Sequence, residues 1–281
     1  SSNKVLGDKT VINAFNKAIN RKEIVDKVLS GYGTIIQNPI PETMSHDKAN
    51  EIDAGSLEEA SDILEKGGWK IGADGIRVSG GTKIITQTKK VGKKTVTQKV
   101  TVNGGPVTRL SFSLSTGNTP ELKQASDLIK EQLEKIGAEV TVKVYETGPL
   151  NQLIRARNYE ALFFGQIINH ESDLFSFWHS SQKTDPGLNI AMYSNKTIDT
   201  ILETIQKTLD KPSRDKKYKD FIEEFNKDIP AILIYSPKYL YATSSKLNNI
   251  TIDTLTIPSD RFASIFSWYA ETDHVWKIFN K

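Results

Sequence analysis

Residues 110–145, LSFSLSTGNTPELKQASDLIKEQLEKIGAEVTVKVY, contain the pattern that decides the fold. Residues 110–114 predict a strand, and apolar residues at three- and four-residue spacing predict a helix over residues 120–136. Gly137 ends that helix, and residues 140–145 predict a second strand. Two strands joined by one helix favour parallel pairing, because the helix returns the chain to the same end of the sheet. The sequence therefore indicates an α/β fold.

A third strand and a candidate binding loop follow in residues 158–199. Residues 161–164 form a short apolar run typical of a buried strand, and polar and aromatic residues follow Gly165. Ligands of α/β proteins bind where strand ends open onto such loops. The candidate ligand-binding residues are Gly165, Gln166, Ile167, Asn169, His170, Glu171, Asp173, Trp178, His179, Asn189 and Tyr193.

Further elements are predicted on both sides of this region. Helical spacing covers residues 11–29, 57–66, 197–209 and 213–227, and strands are expected at residues 230–237, 250–257 and 265–269. Ser56 and Glu59 have the spacing of a capping box at the start of the helix over residues 57–66.

Residues 82–102 alternate β-branched with polar residues around Val91 and Gly92, which is typical of a β-hairpin. The hairpin carries Lys83, Lys89, Lys90, Lys93, Lys94 and Lys99. Two interpretations stay open. The lysines could contact an anionic surface or polymer, or they could keep an exposed sheet edge from aggregating.

Composition excludes several classes of protein. The 281 residues contain no cysteine, so disulfides, thiolate catalysis and cysteine-ligated metals are excluded within this chain. A quarter of the residues are charged and the formal net charge is only +3, which favours a globular chain over a nucleic-acid binder or a disordered tail. No stretch approaches the roughly 20 apolar residues of a membrane span.

Six motifs resemble a known family in both content and order. They are AFNKAINRKEIVDKVLSGYG (14–33), NPIP (38–41), EEASDILEKGGWK (58–70), LKQASDLIKEQLEKIGAEVTVKVYE (122–146), YSNKTIDTILE (193–203) and DIPAILIYSP (228–237). The chain is similar to the C-terminal half of the family 5 extracellular solute-binding proteins, the dipeptide and oligopeptide receptors of bacterial ABC importers. The resemblance implies a periplasmic-binding-protein-like lobe (type II, cluster C), with a mixed β-sheet flanked by helices and a lysine-rich hairpin insertion.

The resemblance also implies an organisation. Residues 1–238 would form the second, ligand-binding lobe, with the hairpin inserted at about 80–106, and residues 239–281 would return to the first lobe. The first lobe, a signal sequence and a lipid anchor are expected to precede this part, which places the receptor outside the cell or in the periplasm. Expected partners are a peptide or other small solute, an ABC permease in the membrane and the first lobe. No nucleic acid and no cofactor are implied.

The binding loop differs from the family pattern at two positions. Residues 162–168 correspond to a strand that offers backbone hydrogen bonds to an extended peptide. Asn169 stands where an aspartate would hold the peptide's α-ammonium group, and Gln166 stands where a tryptophan is expected. Because Asn169 is uncharged, either Glu171 or Asp173 supplies the charge, or the ligand is an uncharged or sugar-like solute.

Structural alternatives stand beside these binding roles. Asn169 could cap a loop, Trp178 could fill the core, and Asn189 and Tyr193 could stiffen the loop instead of facing a ligand. His179 and the serines after it resemble a family loop. His170, Glu171, Asp173 and His179 have no compact zinc-binding spacing, so a metal site is not predicted.

Enzyme activity is not expected. No G-x-S-x-G nucleophile elbow occurs, and Glu171 and Asp173 lie in one short loop, whereas glycosidase carboxylates face each other across the bond. The predicted function is the solute-binding component, or a fragment of it, of an ABC import system. The alternative is a surface adhesion or scaffold module that keeps the receptor fold and uses the lysine hairpin as its contact.

Overall fold

The computed structural model describes residues 3–40, 55–91, 94–103, 106–168, 173–252 and 258–271, and the chain divides into two compact units, Ser1–Pro237 and Lys238–Lys281. The α-helices are α1 (Lys9–Ala18), α2 (Arg21–Val28), α3 (Leu57–Lys66), α4 (Pro120–Glu134), α5 (Thr147–Arg155), α6 (Asp173–Trp178), α7 (Lys196–Lys207) and α8 (Lys211–Asp228). The strands are β1 (Gly33–Ile35), β2 (Lys70–Ile71), β3 (Arg77–Ser79), β4 (Thr82–Val91), β5 (Lys94–Asn103), β6 (Thr108–Arg109), β7 (Ser111–Gly117), β8 (Glu139–Tyr145), β9 (Ala161–Phe163), β10 (Tyr235–Pro237), β11 (Leu247–Asn248) and β12 (Tyr269–Ala270).

The first unit is organised around a three-stranded parallel sheet with the order β8-β7-β9. β7 pairs with β8 from Ser111 opposite Glu139 to Gly117 opposite Tyr145, and α4 connects the two strands. The parallel crossover predicted from residues 110–145 is therefore confirmed. β7 is buried almost throughout, as expected for the middle strand of such a sheet.

The smaller sheets are antiparallel. β1 pairs with β10, β2 and β6 flank β3, and β4 pairs with β5 from Thr82 opposite Asn103 to Val91 opposite Lys94. Gly92, where the hairpin turn is predicted, lies outside the described residues. Parallel and antiparallel sheets together with the flanking helices confirm the α/β class.

The start of the chain corrects one prediction. The single helix predicted over residues 11–29 is wrong, because α1 and α2 are separated at Ile19, whose backbone is extended. Asn20 then caps α2, since its side-chain oxygen accepts a hydrogen bond of 2.9 Å from the Glu23 amide. Ser56 caps α3 as predicted, because its Oγ accepts a hydrogen bond of 3.1 Å from the Glu59 amide. The reciprocal half of the predicted capping box does not form, because the Ser56 amide donates to the Lys17 carbonyl at 2.8 Å.

Two predicted strands are also corrected. Of residues 230–237, only β10 is a strand; the apolar side chain of Ile234 is buried in the core, yet its carbonyl meets only the Ile36 amide, at 3.4 Å. Residues 265–267 form a short 3-10 helix, Ile265–Ser267, and only β12 follows it as a strand. Residues 253–257, which belong to another predicted strand, lie outside the described residues.

Two hydrophobic cores form within the first unit. One lies between α1, α3, α4 and the parallel sheet, and the other between α6, α7 and α8. Ala161 and Phe163 of β9 pack against the first core, whereas Ile168 packs against the second. The segment that follows β9 therefore runs from one core to the other. In the described part of the chain, no helix has the length and apolar character needed to cross a membrane.

Candidate functional site

The candidate site begins at β9, which is an edge strand of the parallel sheet. On one side it pairs with β7, with Ala161 opposite Leu114 and Phe163 opposite Thr116. Thr116 Oγ1 adds a hydrogen bond of 3.1 Å to the Phe163 carbonyl. Within the described chain, the other side of β9 has no strand partner. Such an edge can accept an added strand.

Glu160 fixes the start of β9 against the middle strand. Its Oε2 accepts hydrogen bonds from the amide and the hydroxyl of Ser113, at 2.6 and 2.7 Å, and its Oε1 accepts one from Asn3 Nδ2 at 2.9 Å. The Ser113 hydroxyl bond is the main cause that holds the pKa of Glu160 below its usual value. The position of the free edge is thus set from the buried interior of the sheet.

Among the described residues, the segment after β9 combines backbone that makes no backbone hydrogen bond with exposed apolar side chains. In the described structure, the backbone amides and carbonyls of residues 165–168 make no backbone hydrogen bond. Phe164 is 42% exposed and Ile167 is 79% exposed. Polar backbone beside exposed apolar side chains matches the two needs of an extended peptide, which are main-chain hydrogen bonds and pockets for its side chains.

A second loop, residues 183–190, adjoins this segment. Gln166 Nε2 donates a hydrogen bond of 3.4 Å to the Leu188 carbonyl, and the Leu188 side chain is 49% exposed. We refer to Phe164, Ile167 and Leu188 together as the apolar rim. The rim borders the backbone of residues 165–168.

Arg157 and Tyr159 hold the second loop in place. The Arg157 guanidinium donates from Nε to the Lys183 carbonyl at 2.9 Å and from Nη2 to the Gly187 carbonyl at 2.6 Å. Tyr159 donates its hydroxyl to the Ile190 carbonyl, and burial raises the pKa of Tyr159. Both residues immediately precede β9, so one short segment positions the free strand edge and its neighbouring loop together.

Asn189 holds the same loop, residues 183–190, through buried hydrogen bonds. Its side chain is fully buried; Nδ2 donates to the carbonyls of His179 and Tyr193 at 3.1 and 3.0 Å, and Oδ1 accepts from the Tyr193 amide at 3.0 Å. These bonds use both hydrogens and one acceptor position of the amide group. In this position Asn189 supports the loop, as one of the two interpretations of the sequence holds.

Tyr193 continues the network to the end of α8. Its hydroxyl donates to Asp228 Oδ2 at 2.8 Å, and Asp228 also accepts from Lys9 Nζ at 2.7 Å and Asn195 Nδ2 at 2.8 Å. These partners, Lys9 first, lower the pKa of Asp228 to about 2. Burial and the bond to Asp228 raise the pKa of Tyr193. Tyr193 therefore makes a structural hydrogen bond to an ionised carboxylate.

Trp178 and His179 are buried, and Trp178 belongs to the second core. The Trp178 ring is buried and meets Phe225 edge-on, with 4.7 Å between the ring centroids. His179 stacks on Phe175, its Nδ1 lies 2.8 Å from Ser181 Oγ, and its Nε2 lies 3.5 Å from Glu203 Oε1. The packing interpretation of Trp178 describes its position.

The structure thus divides the predicted site residues into an exposed group and a buried group. Gly165, Gln166 and Ile167 lie on the exposed segment after β9, while Trp178, His179 and Asn189 are buried and Tyr193 is half-buried. Asp173 begins α6, and Asn169, His170 and Glu171 lie outside the described residues. The ligand-binding roles of all these predicted site residues stay predictions.

Arg157, Tyr159 and Asp228 are not among the residues predicted for the site. Arg157 and Tyr159 act on backbone carbonyls, at Lys183, Gly187 and Ile190, so no complementary side chain marks them in the sequence. Asp228 was included in a motif only as the residue before an apolar run. Its network becomes visible only when α1 and α8 are brought together.

The family is shown by comparison with known proteins. The model of the bacterial extracellular solute-binding proteins, family 5 Middle, matches residues 1–187. The chain belongs to this family. Family 5 proteins are solute-binding receptors that act outside the cytoplasm, so the predicted resemblance is confirmed at the level of fold and receptor class.

Individual family 5 members show the range of solutes. The oligopeptide-binding protein AppA of Bacillus subtilis is 28% identical over 244 residues, which are 84% of this chain and 40% of that protein. The structure of AppA in complex with a nonapeptide has a TM-score of 0.71 at 22% identity, with 96% of this chain and 49% of that chain covered. NikZ of Campylobacter jejuni in complex with Ni(L-His) has a TM-score of 0.69 at 21% identity, with 96% and 50% covered. The chain spans about two fifths of the length of the curated relatives it matches.

Proposed function

We propose that this chain is the solute-capturing part of an ABC import receptor and that its ligand is an extended peptide with apolar side chains. The observation that supports the proposal is the edge of β9, which has no strand partner on its outer side among the described residues and continues into residues 165–168, beside the apolar rim. A peptide that adds as a strand would exchange main-chain hydrogen bonds with this edge.

The apolar rim gives the proposal its ligand class. Alternate residues of an extended peptide lie on opposite faces, so every second side chain would meet one side of the rim. Full burial of an apolar side chain the size of Ile167 contributes roughly 1.5–3 kcal/mol. Ile167 is 79% exposed without ligand, so most of its surface is available to such a contact. A compact nickel–histidine complex would leave much of this rim exposed.

The charged end of the peptide needs a separate partner. We assign the α-ammonium group to Glu171 or Asp173, because Asn169 has no charge and a buried ammonium group requires an ionised acceptor. The alternative within the same proposal is a peptide held by its middle residues, whose charged end stays in water.

The complete receptor would bind the peptide between this lobe and a first lobe, and closure would bury the ligand before delivery to a membrane permease. A lipid anchor and an extracellular or periplasmic location belong to the same proposal. Closure would consume part of the binding energy but would also add contacts from the first lobe. The 281-residue chain is therefore expected to bind peptide more weakly than micromolar.

Amide NMR spectra recorded during a peptide titration test the proposal. An apolar pentapeptide such as Ala-Phe-Leu-Val-Ala, at millimolar concentration, is expected to shift the amide signals of residues 161–168 and of Leu188. A pentapeptide of the same length with serine and glutamine in the middle is expected to bind about tenfold more weakly, because it loses the rim contacts. Ni(II) with histidine serves as the competing ligand.

A matched pair of variants assigns the shifts to the rim. I167S is expected to weaken the apolar peptide about tenfold. V107S removes an equally apolar, exposed side chain in the loop before β6, and it should leave binding unchanged. The proposal fails if Ni(II)–histidine moves these signals while peptides do not, or if peptides shift only residues outside the β9 edge and the rim.

A further inference from the structure

The parallel sheet has a second edge, β8, which the proposed peptide site does not use. In the order β8-β7-β9, one side of β8 pairs with β7, and no strand pairs with its other side in the described chain. The strand is open to solvent, because Thr141 and Lys143 are exposed and Val144 is 44% exposed. An open edge of seven residues has room for one more strand.

The outward-pointing backbone groups of β8 follow from its pairing with β7. The Glu139 amide donates to the carbonyl of Leu110, just before β7, at 2.8 Å. Because successive residues of a strand point their amides and carbonyls to opposite sides, Glu139 and every second residue after it face β7. Val140, Val142 and Val144 therefore direct their backbone groups away from β7.

Lys130 on α4 occupies one of these outward groups. Its Nζ donates to the Val140 carbonyl at 2.9 Å, which agrees with the direction inferred for Val140. A carbonyl oxygen has two lone pairs, so this one can still accept a second hydrogen bond. In the described chain, Val142 and Val144 make no backbone hydrogen bond other than those of the strand ladder. Val142, the middle residue of β8, is therefore the least obstructed position for pairing.

We propose that β8 pairs with the β8 of a second copy of this chain, in antiparallel order, with Val142 on the twofold axis. The two Val142 residues would exchange two backbone hydrogen bonds, and each Val140 would pair in the same way with Val144 of the other copy. The two three-stranded sheets would become one six-stranded sheet with the β9 edges at its ends. This dimer does not depend on the proposed peptide sites, and it would leave both of them open.

The solvent-facing side chains of β8 favour a second copy in this register. Glu139 would lie diagonally across from Lys143 of the other copy, and the twofold axis would repeat this pair of opposite charges. Thr141 would lie directly opposite the same lysine. A second copy supplies these charges by symmetry, whereas an unrelated strand would have to carry them at the same spacing.

Two neighbouring registers fit less well. An axis at Lys143 would place two lysines directly opposite each other, which is destabilising. An axis at Thr141 would pair only five of the seven residues of each β8, and its backbone hydrogen bonds would all involve Val140, whose carbonyl Lys130 already uses. Pairing about Val142 overlaps the whole strand and keeps the central pair away from that carbonyl.

Sedimentation equilibrium of the 281-residue chain, up to millimolar concentration, tests the proposal. Two short strands make a small interface, so a weak dimer in exchange with monomer is expected. K143E replaces both attractive pairs with repulsive ones and should weaken dimerisation about tenfold, while the charge-swapped E139K/K143E should return it to within about threefold of the parent. K123E makes the same charge change at an exposed lysine of α4 and should leave dimerisation unchanged.

Engineered cysteines test the register, because the parent chain contains none. Thr141 opposite Lys143 would be a non-hydrogen-bonded pair, whose Cα atoms lie about 4.5 Å apart and within the range of a disulfide. A mixture of T141C and K143C should form a disulfide-linked dimer on mild oxidation. Each variant alone should stay largely unlinked, since neither residue would face its own copy.

Several results would overturn the proposed dimer. They are a parent chain that stays monomeric at millimolar concentration, a K143E effect no larger than that of K123E, and a charge-swapped variant that does not recover. Linking of either cysteine variant alone as fast as in the mixture would overturn it as well. Far-UV circular dichroism of each variant should match that of the parent.

Discussion

The Tyr193 hydroxyl donates a 2.8 Å hydrogen bond to Oδ2 of Asp228, the last residue of α8. Lys9 at the start of α1 and Asn195 at the start of α7 meet the same carboxylate. One ionised side chain therefore joins the ends of three helices with the loop that Asn189 supports.

Asp228 should make stability depend on acid pH. Its pKa in the folded chain is about 2, below the ordinary 3.8, so its contribution is complete above pH 4 and is lost as the pH falls through 2. Because its partner Lys9 is largely exposed and screened, we expect D228N to lower the free energy of unfolding by about 1–2 kcal/mol at pH 7. Urea unfolding at pH 7 and near pH 2 measures the difference, which should almost vanish at the lower pH.

A surface aspartate provides the control for this experiment. Asp26 makes an exposed i,i+4 ion pair with Lys22, so D26N should change the unfolding free energy by less than about 0.5 kcal/mol. A D228N effect equal to that of D26N, or one that stays the same down to pH 2, would contradict the assignment.

Asn189 should be among the least replaceable side chains of the loop. N189A removes three hydrogen bonds and leaves the His179 and Tyr193 carbonyls without their buried donor. The expected destabilisation is about 2–4 kcal/mol, measured by urea unfolding. Q124A, which shortens an exposed amide side chain on α4, should change stability by less than about 0.5 kcal/mol. Similar values for the two variants would show that the buried network contributes little.

Two glycines near the site should respond in opposite ways to alanine. A Cβ on Gly187 would lie 2.3 Å from the Gln182 carbonyl oxygen, and backbone cannot move away as a side chain does. A Cβ on Gly165 would meet nothing within 4 Å. G187A should therefore destabilise the chain by about 2–4 kcal/mol, while G165A should stay within about 0.5 kcal/mol. Thermal unfolding of the two variants side by side checks this, and equal melting temperatures would refute it.

Arg157 should require its planar guanidinium group. R157K keeps the charge but cannot reach the Lys183 and Gly187 carbonyls at once, so we expect a loss of about 1–2 kcal/mol. Hydrogen exchange at the Gly187 amide, which donates to the Thr184 carbonyl, should become faster. R155K alters an exposed arginine and should leave this exchange rate unchanged. Unchanged exchange in R157K would mean that the loop is held by other contacts.

Local sequence signals predicted the parts of the fold that local physics determines. The β7–α4–β8 crossover and the Ser56 cap were predicted because periodicity and capping are properties of short segments. The break at Ile19 was missed because the apolar spacing continues across it while Asn20 begins a new helix. The segment before β10 was mistaken for a strand because burial in a core gives an apolar run whether or not a ladder forms.

The site also combines features that local sequence determines with features that depend on distant contacts. The exposed segment with Gly165, Gln166 and Ile167 could be predicted, because it follows directly from the end of an apolar strand. For Trp178 and Asn189 the sequence left burial and ligand contact as open alternatives, since their burial depends on Phe225 and on the carbonyls of His179 and Tyr193. Composition alone does not distinguish a polar residue that faces a ligand from one that fastens the chain to itself.

Arg157 and Tyr159 support the second loop through hydrogen bonds to main-chain oxygens, at Lys183, Gly187 and Ile190. Every residue type carries such an oxygen, so this support does not constrain which side chain stands at Leu188. If the chain captures a peptide as proposed, substitutions at Leu188 would change the preferred peptide while the loop keeps its path. Under the proposed function, peptide preference could then be altered at the rim without any change in Arg157 or Tyr159.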